Sequence, residues 1–248
     1  MLNRKQPKQK QSALRNTWLD VGGRDVPVTI SENPRSQRLT LRIQPGGKEL
    51  RVSVPPSTPF REIDSFLRKH QNWVAARLSR MPKVQSITAG EVINLRGVPH
   101  EIVHMGKGRG VVKTILQNEQ FQIQVFGDER HMQRRVLDFL KNQARSDLAA
   151  AVEVHGARLG VKAKSISIRD SKTRWGSCSS SGTLSFSWRI ILAPPDILDY
   201  LAAHEVAHLR EMNHSPQFWA LVEQTCAHTK SSRSWLKTHG AELHALII

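Results

Sequence analysis

The sequence predicts an α+β fold, strand-rich in its first half and helical in its second, on three observations. Short segments that alternate apolar and polar residues dominate the first half. From about residue 128 the apolar spacing lengthens to three and four, the period of helices packed by one face. Composition also suits a soluble globular chain: 39% of the 248 residues are hydrophobic and charges of both signs are mixed. No run of about twenty apolar residues is present, so no membrane-spanning helix is expected.

The first nineteen residues carry Arg4, Lys5, Lys8, Lys10 and Arg15 with no acid and no apolar stretch of the kind a secretory signal needs. They read as a flexible basic tail. Pro7 and the many glutamines make a poor amphipathic presequence, so a cytoplasmic location is expected. Val26–Ile30, Gln37–Ile43 and Glu49–Val54 alternate at period two, and Pro45-Gly46-Gly47 supplies a hairpin turn between the last two. Thr58 and Pro59 open a helix running to about Ser79. Phe60, Ile63, Phe66, Leu67, Val74 and Leu78 face a core, with Trp73 on a second face. Strands follow around Val92–Leu95, His100–Val103, Val111–Leu116 and Phe121–Val125, with Gly106 to Gly110 a mobile turn. A long helix from about Asp128 to Leu159 carries Val136, Leu137, Leu140, Ala144, Leu148 and Val152. These elements suggest a tail (1–19), a strand-rich N-terminal subdomain (20–127) and a C-terminal domain (128–248). No internal repeat is evident. Helices from Pro216 to Ala227 and Ser232 to Ala245 close the chain.

The segment most suited to chemistry is His204-Glu205-Val206-Ala207-His208, followed by His214. Residues four apart lie on one helix face, so His204 and His208 can reach a single cation. Glu205 sits beside that face, where a carboxylate can take a proton from water polarised by the ion without being a ligand itself. Pro194-Pro195-Asp196 reads as the start of this helix, and Ile197, Leu198, Leu201 and Leu209 supply its buried stripe. Asn213 is the expected helix stop, and Ser215-Pro216 the cap and first position of the next helix. His214 falls in the turn between them. There it can complete three protein ligands and leave a fourth position open.

Upstream, Thr173-Arg174-Trp175-Gly176-Ser177-Cys178 precedes a strand-like run from Thr183 to Leu192, whose backbone could hold an extended peptide by strand addition. This succession, with Leu184 to Pro195, Tyr200 to His208, Met212-Asn213-His214-Ser215-Pro216 and Phe218-Trp219, closely resembles the YgjP-like metallopeptidases, relatives of the SprT group. The likeness is dense from Arg145 to Leu246 and looser from Pro34 to Trp73. It implies a zincin-like catalytic domain with His204, His208 and His214 as zinc ligands and Glu205 as general base. The ligand spacing is also that of metzincins. Their glycine between the second and third ligands is Glu211 here and no methionine follows Met212, which argues against that family.

The leading function is therefore a zinc-dependent peptidase acting on a polypeptide. Two other readings stand beside it: a metal-dependent nucleotide pyrophosphohydrolase, with Arg174, Arg189 and Arg210 to neutralise phosphate, and a basic nucleic-acid-associated binding protein with structural zinc. An all-histidine set lacks the bridging carboxylates that magnesium or manganese chemistry calls for, which favours the peptidase. Arg174, Arg189, Tyr200 and His228 are candidate oxyanion stabilisers. Cys178 and Cys226 read as two reduced thiols rather than a disulfide framework, and His100, His104, His131 and His155 as solvated or structural. The formal charge of +16, from 37 Lys and Arg against 21 Asp and Glu, would attract polyanions such as nucleotides or nucleic acid without selecting one.

Overall fold

The computed structural model describes residues 14–79, 86–171 and 173–246. The chain divides into two compact units, 1–83 and 84–248. The first holds β1 (Leu14–Asp20), β2 (Asp25–Glu32), β3 (Thr40–Ile43), β4 (Leu50–Val54) and α1 (Phe60–Ser79). Its sheet runs β1-β2-β4-β3, with β2 and β4 parallel and the outer pairs antiparallel. β3 and β4 form the expected hairpin, and Gly46 and Gly47 in its turn take positive φ. The alternation of Val26, Val28 and Ile30 buries one face of β2, and α1 contributes Ile63, Leu67 and Val74 to the same core. Phe60 and Trp73 stand about half exposed instead of packing inward. β1 also differs from expectation. Residues 14–19, read as the end of a tail, pair with Val26–Ser31, although this short stretch has little alternation to announce a strand. The rest of the expected tail lies outside the described residues.

The second unit opens with β5 (Val92–Leu95), β6 (Val98–His104), β7 (Lys113–Gln117), β8 (Gln120–Val125) and α2 (Met132–Leu159). Its first sheet runs β5-β6-β8-β7, again with the inner pair parallel and the outer pairs antiparallel. The same four-strand topology followed by a helix therefore occurs twice in the chain. No sequence repeat betrays it, because the two copies share strand directions and not turn residues. Ile93, Leu95, Ile102, Ile123 and Val125 join the core formed by Val136, Leu140, Ala144 and Leu148 of α2. For that reason the division near residue 127 suggested by pattern falls inside the second unit. α2 keeps its buried stripe at four-residue spacing and ends at Gly160, whose φ of 65° provides the left-handed cap.

The remaining elements are β9 (Ser165–Arg169), β10 (Gly176–Cys178), β11 (Thr183–Ser187), a 3-10 turn (Trp188–Leu192), α3 (Pro195–Ala207), α4 (Pro216–Thr225) and α5 (Thr229–Leu243). The strand expected over Thr183–Leu192 stops at Ser187, and all five residues after it are buried in the 3-10 turn. β11 is also the centre of its sheet, in the order β10-β11-β9, so its backbone is paired on both sides. Among the described residues the edges of this sheet are β10 and β9. The β5–β6 turn fixes where α3 starts: Arg96 N and Gly97 N donate to Ile191 O and Leu192 O at 2.7 and 3.2 Å. A Cβ at Gly97 would stand 3.0 Å from Pro194. Among the described residues no helix is long and apolar enough to cross a membrane.

Candidate metal centre

α3 is apolar on nearly every side, with Ile197, Leu198, Leu201, Ala202, Ala203, Val206 and Ala207 all buried, so its polar side chains are held in fixed places. The helix ends at Ala207 and not near Asn213. Leu209 N and Arg210 N bond back to Val206 O and Ala207 O, tightening the chain just after the second histidine. His214 then returns immediately before Ser215, whose Oγ caps α4 by accepting from Phe218 N at 3.2 Å. Ring nitrogens of His204, His208 and His214 all lie within 4.8 Å of one another. The Nε2 atoms of His204 and His214 are 3.1 Å apart. Two imidazoles on one tetrahedral zinc would place their nitrogens roughly 3.3 Å apart, so the spacing suits such an ion.

The surroundings orient the rings. His208 Nδ1–H donates to Glu211 O at 3.0 Å, which leaves the Nε2 lone pair free. His204 Nδ1 lies 3.5 Å from the Tyr200 hydroxyl. The Phe218 ring, fully buried, sits 4.9, 4.4 and 4.8 Å from the centroids of His204, His208 and His214. Trp219 stacks on His214 at 5.7 Å, and the exposed Arg233 guanidinium lies 3.9 Å above the Trp219 ring. Burial, reinforced by the charges of His208, His214 and Arg233, lowers His204 to about 3, and burial also lowers His208. Both imidazoles are thus held neutral, the form that donates to a metal. Burial raises Tyr200 to about 12, so it remains a phenol able to donate a hydrogen bond.

Glu205 is 3% exposed and its Oε2 has no hydrogen-bond partner among the described residues. An unpartnered buried carboxylate is costly, and burial pushes Glu205 up to about 8. The side chain lies against Gly176 of β10: a Cβ there would meet the Glu205 carboxylate, with Cδ and Cγ at 2.7 Å. This contact gives the Arg174–Cys178 segment a physical role that spacing alone does not reveal. It also has a consequence for the metal-free chain. Between pH 4.5 and 8 the native state keeps a proton on Glu205 that the unfolded chain has lost, so this group makes stability fall as pH rises. The depressed His204 acts oppositely, but only below its ordinary value of 6.5. Between pH 6.5 and 8 chelator-treated protein should lose about 2 kcal/mol in denaturant unfolding, and Glu205→Gln should flatten that slope. An unchanged slope in the variant would refute the buried-carboxylate account.

Other predicted residues separate from the site or join it only loosely. Arg189 is buried and occupied, with Nε on Asp170 Oδ1 at 2.9 Å and Nη1 on the Leu246 and Leu243 carbonyls at 2.7 and 3.3 Å. His228 faces Asp199, at 3.2 Å. Arg174 is exposed. Cys178 donates to Ser179 O at 3.4 Å, and burial followed by the Glu205 charge raises its thiol pKa, which opposes a nucleophilic role. Gly176 and Arg233 are the site neighbours that sequence reasoning missed. His155 is structural, fully buried between Thr225 and Asp199.

Residues 37–239 match the model of a metallopeptidase family, which sets the class of this α+β protein. The family is YgjP-like, metallopeptidase domain, and the chain belongs to it. A search of curated proteins gives no match. Among solved structures, the chain is similar to the crystal structure of the metallopeptidase zymogen of Pyrococcus abyssi abylysin. Identity is 23% over 36% of this chain and 93% of that one, with a TM-score of 0.32.

Proposed function

We propose that the chain is a zinc peptidase in which His204, His208 and His214 hold the ion and Glu205 is the general base. The observation that carries this reading is the buried Glu205 Oε2, without a hydrogen-bond partner among the described residues, on the helix that brings His204 and His208 together with His214. A zinc ion in a set of three histidines supplies Lewis acidity, polarising water and a scissile carbonyl. Glu205 accepts the water proton and passes it to the leaving amine. Tyr200, whose hydroxyl lies 3.5 Å from His204 Nδ1, orients that imidazole from the side away from Nε2.

The substrate strand is assigned to β10 instead of β11. Ser187 N–H donates to Trp175 O and Ser179 N–H to Thr183 O, and antiparallel bonding alternates, so the backbone groups of Gly176 and Cys178 point away from β11. An extended polypeptide can add there, next to Glu205. Chelation should abolish cleavage of an unfolded protein, and zinc should restore it with about one equivalent at this site. His208→Ala should lose both the activity and its restoration. Full activity in exhaustively metal-free protein would overturn the proposal.

A further inference from the structure

A second group of mixed donors lies where α3 meets the link between α4 and α5. Asp199 is on α3, one turn and one residue before His204, while Cys226 and His228 lie in the link. A carboxylate oxygen of Asp199, the Cys226 sulfur and a ring nitrogen of His228 all fall within 4.8 Å of one another. Cys226 is 2% exposed. The side chains of Asp199 and His228 are 36% and 32% exposed, so the group opens to water on one side.

Two features distinguish this group from an ordinary ion pair. His228 Nε2 is buried without a hydrogen-bond partner among the described residues, although it lies only 3.2 Å from Asp199 Oδ2. The proximity therefore lacks the alignment of a hydrogen bond, while the distance suits two ligands of one tetrahedral ion, roughly 3.3 Å apart. Second, His155 holds the other carboxylate oxygen. Its Nε2 is 2.9 Å from Asp199 Oδ1 and its Nδ1 is 2.7 Å from Thr225 Oγ1, with the ring fully buried. Oδ1 is thereby occupied and Oδ2 is left toward His228. A buried side chain that fixes the orientation of a ligating carboxylate is the usual outer support of a metal site.

We propose that Asp199, Cys226 and His228 bind a second zinc ion, separate from the three-histidine centre, with water in the fourth position. Sulfur and imidazole donors select a borderline-soft ion over magnesium or calcium, which prefer oxygen alone. On binding, Cys226 gives its thiol proton to solvent and its sulfur bonds the ion as thiolate; no electron is transferred. The ion would tie the α4–α5 link to the helix that carries His204 and Glu205.

The test is zinc content and cobalt substitution on the full chain. The parent should hold two equivalents of zinc and, loaded with cobalt, show thiolate-to-cobalt charge-transfer absorption, which three histidines cannot give. A His204→Ala/His208→Ala double variant should keep one equivalent and the sulfur absorption. Cys226→Ser should drop to one equivalent and lose the absorption, and His228→Gln gives a second check should Cys226→Ser fail to fold. A parent holding one equivalent without the sulfur absorption overturns the proposal and leaves the three-histidine reading intact. Absorption that survives in Cys226→Ser also overturns it, since the sulfur would then be Cys178.

Discussion

Replacing Glu205 with glutamine should cut kcat for peptide hydrolysis by about 10²–10⁴-fold, the range a positioned general base supplies, while KM and metal content stay close to the parent values. The substitution keeps the shape of a side chain that is 3% exposed and packed against Gly176, and removes only its ability to accept a proton. Burial already opposes the charged form, so the variant should be no less stable than the parent at neutral pH. The measurement is steady-state cleavage of an unfolded polypeptide beside elemental analysis of both proteins. A variant that retains zinc and cleaves at the parent rate would remove Glu205 from the chemistry. One that loses zinc would make Glu205 part of the ligand field instead of the base.

The local parts of this site are the parts the sequence makes legible. His204 and His208 share a face because helical spacing is enough to say so, and Ser215-Pro216 announces the start of α4 by capping chemistry that acts within three residues. His214 is foreseeable as a turn residue, yet the turn itself begins earlier than Asn213 suggests. His208 bonds forward to Glu211 O, and the chain tightens before the asparagine is reached. Contacts between residues distant in sequence are opaque to pattern. Gly176 looks like any strand glycine until β10 is seen against α3. β10 has only three residues and no apolar alternation, and the buried run Trp188–Leu192 mimics a strand although it coils. The duplicated four-strand topology is hidden for a related reason, since strand order is a property of pairing and leaves no fixed residue signature.

The sharpest consequence of that long-range contact is an expected loss of activity in Gly176→Ala. Gly176 is not among the glycines with positive φ, so its backbone would accept alanine, and strand propensity would if anything favour it. What excludes a side chain is space: the added Cβ would lie 2.7 Å from Glu205 Cδ and Cγ, closer than non-bonded carbons approach. Either β10 or Glu205 must move. Misplacing a catalytic group by about 1 Å costs on the order of 10²-fold, and that is the fall in kcat/KM expected here with metal content unchanged. A double-mutant cycle identifies the route of the effect. If Gly176→Ala acts by displacing the Glu205 carboxylate, then in a Glu205→Gln background it should lower the residual rate little further, because the function it disturbs is already gone. Full multiplicative losses would instead mean that the alanine damages the β10 edge on its own account, and would place the burden of Gly176 on substrate alignment.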